Sequence, residues 1–180
     1  MALRHSEFLS RGARLFGLSA DAVSQNNAVV EKLALPFPLL SDPERDRAIT
    51  TLGFADEDDP RRISRPGTVV VSPAAEVVFT VTGRDYADRP NEDELLAVID
   101  DLGLAPTTQS PPIVGPVEAG PNAVPASGLP FYFRGAKFAV MALRGRHREL
   151  GEGFRDDTKE YVQMVERYLD ALPGVEQRRA

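Results

Sequence analysis

The residues able to do chemistry are few and scattered. Ser19 and Asp21 stand two apart, but a serine nucleophile needs a base within hydrogen-bond reach. The two histidines, His5 and His147, lie in distant segments. Ser19 or Asp21 is therefore expected to cap the following helix, its oxygen accepting a backbone N–H at the helix start. Asp56 to Asp59 forms an acidic run that could face a hard cation. It lacks the glycine and distal glutamate of an EF-hand loop, so a solvated loop is expected and no metal. Arg144-Gly-Arg-His-Arg148 is a basic cluster that could touch an acidic partner surface, and a solvated helix end is the expectation. The chain contains no cysteine. Disulfides, thiolate metal sites and thiolate nucleophiles are thereby excluded from it. Methionine oxidises but does not replace a low-pKa thiolate, so Met141 and Met164 are expected only to pack.

The whole-chain balance excludes further classes. With 21 Lys and Arg against 27 Asp and Glu, the formal charge is -6. That leaves no surplus of positive charge to neutralise phosphates, and nucleic acid is not an expected partner. No apolar run approaches the ~20 residues that cross a bilayer, and the N-terminus lacks the basic start and apolar stretch of a secretory signal. A soluble, cytoplasmic protein is expected, with no membrane partner and no cofactor. At 180 residues and 42% apolar content, one domain with an appendage fits better than two full domains.

The elements that would position these residues follow from apolar spacing. Leu3, Phe8 and Leu9 read as the end of an amphipathic helix stopped by Gly12, and Arg14-Leu-Phe-Gly-Leu-Ser19 as a short buried strand. A helix is predicted over 22–33, ending before Leu35-Pro-Phe-Pro38. Another is predicted over 43–52, with Pro43 at its first position and Asp42 accepting its free N–H groups. Thr68-Val-Val-Val71 and Val77-Val-Phe-Thr-Val81 are β-branched runs around Ser72-Pro-Ala-Ala-Glu76, predicting an antiparallel hairpin. Asn91 should cap a helix over 91–102, with Leu95, Leu96, Val98 and Ile99 inward and Gly103 ending it. The segment 105–130 turns to Pro, Gly, Ser and Thr, and reads as a linker. Helices are expected again from Phe131 to Leu143 and from Thr158 to Leu172.

Four of these stretches resemble, in order and spacing, the peroxiredoxin family, specifically its alkyl hydroperoxide reductase and thiol-specific antioxidant branch within the thioredoxin-like superfamily. They are Phe8-Leu-Ser-Arg-Gly-Ala-Arg-Leu-Phe-Gly-Leu-Ser-Ala-Asp21, Leu35-Pro-Phe-Pro-Leu-Leu-Ser-Asp42, Ser64-Arg-Pro-Gly-Thr-Val-Val-Val-Ser72 and Tyr86-Ala-Asp-Arg-Pro-Asn-Glu-Asp-Glu-Leu-Leu96. The resemblance implies an α/β, thioredoxin-like domain over 1–104, incomplete at its N-terminus, then the linker 105–130 and a C-terminal helical extension over 131–180. It also implies thiol-dependent peroxide reduction as the family activity, antioxidant in effect. The family's peroxidatic cysteine, in a P-x-x-x-T/S-x-x-C type motif, would fall immediately upstream of this chain. A start placed too far downstream and a degenerate member both fit.

The resemblance singles out three residues as a vestigial site. Arg89 matches an arginine that many relatives carry near the active site, where it would lower a thiol pKa. Pro66 falls where thioredoxin-like proteins often have a cis proline, so a cis Arg65–Pro66 bond is expected, with Arg65 lining the same surface. Without a thiol to serve, the three are expected to be vestigial or structural, and no catalytic residue is assigned. The alternative reading is a non-catalytic interaction or oligomerisation module, whose aromatics Phe131, Tyr132, Phe133 and Phe138 would engage another protein or a second copy, as a homo-oligomer.

The missing first strand carries one structural expectation. In the minimal thioredoxin-like sheet that strand lies between Arg14-Leu-Phe-Gly-Leu18 and Thr68-Val-Val-Val71. An empty place would leave unpaired backbone groups, each costing ~1 to 3 kcal/mol where water is excluded. The two flanking strands are therefore expected to pair directly, or a segment such as Ile113 to Val117, or a strand of a second copy, to fill the gap.

Overall fold

The computed structural model describes residues 1–83 and 90–179, and it divides into two compact units, Met1–Pro121 and Asn122–Ala180. In the first unit the element order is α1 (His5–Ser10), β1 (Gly17–Ser19), α2 (Val23–Leu33), β2 (Leu39–Ser41), β3 (Gly67–Val71), β4 (Val77–Thr82) and α3 (Glu92–Asp100). The second unit holds α4 (Leu129–Arg146) and α5 (Gly151–Arg179).

β1 and β2 pair in parallel, Leu18 opposite Leu40, with α2 as the crossover between them. Buried Asn26 fastens that helix to both strands. Its side-chain amide donates to the Leu40 carbonyl (3.1 Å) and the Ser41 hydroxyl (2.8 Å), while its oxygen accepts from the Ser19 hydroxyl (2.9 Å). The expected cap on α2 is different in kind. The helix starts from Ala22, whose N–H donates to the side-chain oxygen of Gln25 (3.0 Å), half of a capping box. Ser19 and Asp21 bond to each other instead, and the Ser19 hydroxyl also donates to Asn26.

β3 and β4 form the predicted antiparallel hairpin, with Val69 opposite Thr80 and a register shift at Val70/Val71. The Ser72 N–H closes its turn on the Glu76 carbonyl (2.8 Å). Asn91 caps α3 by accepting from the Asp93 N–H (3.0 Å). α3 buries Leu95, Leu96 and Ile99 against Phe8 of α1, with Leu15, Val70 and Phe79 completing the cluster. One apolar core thus draws together α1, α3, the β1 approach and the β3–β4 hairpin.

Three expectations are corrected here. The segment 43–52 is a chain of turns, not a helix, because Arg45 lies at φ 64, outside the helical region. Asp42 still accepts backbone hydrogen bonds, though farther along, from Arg47 (3.3 Å), Ala48 (2.9 Å) and Ile49 (2.9 Å). The Arg65–Pro66 bond is trans, as no cis bond occurs among the described residues. Trans is the form an X–Pro bond favours by ≈ 0.5–1 kcal/mol. Finally, the flanking strands do not pair with each other: β1 bonds only β2 and β3 only β4 among the described residues. Ile113 to Val117 is not a strand, and Ile113 is almost wholly exposed.

Beside Leu15, two residues ahead of β1, lies a side chain. The Gln109 amide donates to the Leu15 carbonyl (2.6 Å), and its oxygen accepts from the Leu15 N–H (3.0 Å) and faces His5 Nε2 (3.0 Å). A single carboxamide therefore presents the donor and acceptor that a neighbouring strand would offer at that residue. The chain around it is anchored as a strap. Thr107 N–H donates to the Leu9 carbonyl (2.9 Å), the Asn27 amide to the Pro116 carbonyl (3.0 Å), and Glu118 N–H to the Ser24 carbonyl (3.1 Å). Residues 105–121, read as linker from composition, are thus bound along the first unit. Gly12 permits the strap to begin there: it sits at φ 81, and a Cβ would lie 2.7 Å from the Ala105 carbonyl oxygen.

In the second unit α4 and α5 run antiparallel. Lys137 pairs with Glu166 (2.5 Å), and the rings of Phe133 and Tyr168 lie 5.3 Å apart. Met164 and Val165 of α5 are buried, whereas α4 has no fully buried residue. α5 extends well past both ends of the predicted 158–172 helix.

Candidate functional site

The loop from Phe54 to Arg65 carries the acidic run Asp56 to Asp59 and Arg65, with Pro66 directly after it. Its ends are laddered: Arg65 N–H donates to the Phe54 carbonyl (2.7 Å) and Asp56 N–H to the Ile63 carbonyl (3.1 Å), around an antiparallel bridge between Ala55 and Ser64. Pro66 follows, its carbonyl accepting from Gly83 N–H (2.7 Å) at the foot of the β3–β4 hairpin. Gly67 must be small, because a Cβ there would strike the Phe54 ring.

The acidic run at the tip of this loop is neutralised by arginines. Arg61 Nε bonds both carboxylate oxygens of Asp59 (2.9 and 3.1 Å). That side-chain contact, joined by the Arg61 N–H, lowers the Asp59 pKa to about 2. The Arg65 guanidinium stands 3.9 Å from both Asp56 and Asp58. No group of three potential metal ligands converges among the described residues.

Beneath the loop lies Arg45, which sequence reasoning did not single out. Its side chain is buried, and it donates to the backbone carbonyls of Asp56 (3.1 Å) and Ile63 (3.5 Å) and pairs with Glu57 (3.4 Å). Its Nε has no acceptor among the described residues. Inside a segment that reads as a helix, an arginine carries no sequence signal for this role; only the left-handed backbone turns it inward. Arg45 and Arg65 thus converge on Asp56, one through its carbonyl and one through its carboxylate. Arg89 lies outside the described residues.

Chemically, this arrangement offers guanidinium groups engaged with carboxylates and carbonyls, and no nucleophile. A peroxide is reduced by thiolate attack on its oxygen, and none of the residues assembled here supplies a thiolate.

The loop, the β3–β4 hairpin and the β1–α2–β2 crossover agree with a peroxiredoxin-like chain. The AhpC/TSA family model matches residues 1–80, and the first unit is a thioredoxin-like α/β fold whose described strands form two separate two-stranded sheets, followed by a helical extension. Among individual relatives, rat (Rattus norvegicus) peroxiredoxin-6 is 30% identical over 131 residues, spanning 62% of this chain and 54% of its own length. Among solved structures, Mycobacterium tuberculosis AhpC is similar at 30% identity and a TM-score of 0.46, with 56% of each chain covered. The chain spans about half the length of the curated relative it matches.

Proposed function

We propose that this chain is a peroxiredoxin-like protein that does not itself turn over peroxide. The observation that carries the reading is the pairing of an AhpC/TSA match over residues 1–80 with a sequence that contains no cysteine. By family the activity would be thiol-dependent peroxide reduction, an oxidoreductase and antioxidant role. In this chain Arg65 faces carboxylates, Pro66 serves the hairpin foot, and both are structural remnants of a peroxide site, with Arg89 the third member of that set.

Chemical oxidation tests the proposal. After hydrogen peroxide treatment, intact mass should show oxygen only on the methionines, and dithiothreitol should reverse none of it, since sulfoxides need a dedicated reductase. An adduct that forms rapidly and disappears with dithiothreitol would refute the reading.

A second function, as a non-catalytic interaction module, is favoured by one feature of the second unit: Phe131 is 73% and Phe138 63% exposed on α4. Clustered exposed aromatic side chains, unlike singly scattered ones, mark interaction surfaces.

A further inference from the structure

The end of α4 and the beginning of α5 enclose a groove of about 470 Å³ whose lining includes Arg144, Arg148, Arg155, Lys159, Asp156 and Met141. Four cations therefore face one carboxylate, on a chain whose net charge is -6. Among the described residues, none of the four has a carboxylate within ion-pair distance or a side-chain hydrogen bond. By contrast Lys137, two turns earlier, is paired with Glu166. Like charges held this close repel one another, and guanidinium groups are suited to phosphate oxygens, which they can bind bidentately.

The groove is continuous with an apolar stripe. Phe131, Phe138, Met141 and Gly145 follow one another at helical spacings and share one face of α4, with the exposed Arg134 at the edge of the stripe between the phenylalanines and Met141. All four are exposed. The stripe enters the groove at Met141, which is both 40% exposed and part of the lining. From Leu129 to Arg146 the helix carries Arg134, Lys137, Arg144 and Arg146 and no carboxylate. Pairing α4 with its copy would therefore set like charges together, and a free phosphate would leave the aromatic rings in water. A surface that is anionic outside and apolar within satisfies both halves.

We propose that α4 lies on an anionic phospholipid surface, its Phe131–Phe138–Met141 stripe among the acyl chains and a lipid phosphate seated between Arg144, Arg148, Arg155 and Lys159. Basic amphipathic helices with aromatic apolar faces bind membranes in this way. The composition-based expectation of no membrane partner rested on spanning length. No described helix is long and apolar enough to cross a bilayer, but lying on one requires only a stripe and a cationic flank.

Sedimentation of the full chain with vesicles tests this. The chain should pellet with phosphatidylcholine vesicles containing phosphatidylglycerol and not with phosphatidylcholine alone, and salt should release it. Arg144→Gln combined with Lys159→Gln should lower the partition coefficient ~30-fold, and Phe131→Ser with Phe138→Ser at least ~10-fold. Arg178→Gln with Arg179→Gln should leave it unchanged. Circular dichroism establishes that each variant is folded. The proposal is overturned if the folded chain ignores phosphatidylglycerol, if it pellets equally with both compositions, or if the groove pair has no effect. Saturable calorimetric binding of inorganic phosphate without vesicle binding would also overturn it, as would a dimer broken by the phenylalanine changes that does not pellet.

Discussion

Asp42 is 2% exposed, yet it remains ionised because three backbone N–H groups point at its carboxylate. Ile49 N–H is the strongest cause of its lowered pKa, with Ala48 and Arg47 behind it. A carboxyl whose folded pKa is depressed contributes stability above its unfolded value, about 3.9, and loses it as pH falls through the folded value. Asp42→Asn should therefore lower the thermal midpoint at pH 7 by several degrees, and the difference from the parent chain should shrink as pH is taken below about 4. Equal midpoint differences at pH 7 and pH 3 would contradict this. Gln109 supports a separate prediction. Replacing it by Ala leaves both backbone groups of Leu15 without a partner, at a cost of about 1–3 kcal/mol, measurable in urea. Asp42 was legible in the sequence as an acceptor of backbone N–H groups, because Ser-Asp-Pro is a local signal. Gln109 was not, because a side chain that stands in for a strand leaves no periodicity to read.

At the scale of elements, what the sequence disclosed was what is decided locally. The β3–β4 hairpin follows from two β-branched runs and their turn, and the Asn91 cap and inward leucines of α3 follow from residues within a few positions of one another. β2 escaped notice because three residues, Leu39–Ser41, carry no alternation. Their strand character comes from β1 and from Asn26, both distant in sequence. The 43–52 segment was misread for the opposite reason: good helix signals were overridden by Arg45 turning into the left-handed region to place its guanidinium under the loop. Close approach at Gly67 gives this element a direct check. Gly67→Ala drives a methyl into the Phe54 ring, and overpacking of that kind costs typically 1–3 kcal/mol. Phe54→Leu in the same chain should restore part of the loss. A Gly67→Ala variant as stable as the parent, judged by its urea midpoint, would show that the ring is not held there.

For the whole molecule, the division between Pro121 and Asn122 makes the strap part of the first unit, though composition placed a boundary at residue 104. A fragment ending at Pro121 should unfold cooperatively, whereas one ending at Leu104 loses Gln109 and the Asn27 and Ser24 anchors and should unfold at lower urea. Equal midpoints would mean that the strap adds nothing. The family resemblance was readable because four short motifs keep their order and spacing. The arginine-lined groove was legible only in part: Arg144 and Arg148 belong to the basic cluster seen in the sequence, but Arg155 and Lys159 come from α5, whose approach no local pattern reveals. The central claim is that a thioredoxin-like frame without a thiolate does not reduce peroxide, and steady-state turnover tests it most directly. The purified chain, given hydrogen peroxide or an organic hydroperoxide with dithiothreitol, should consume no more peroxide than the same sample after boiling. Consumption that rises in proportion to chain concentration, and persists after contaminating peroxidases are removed, would contradict the account.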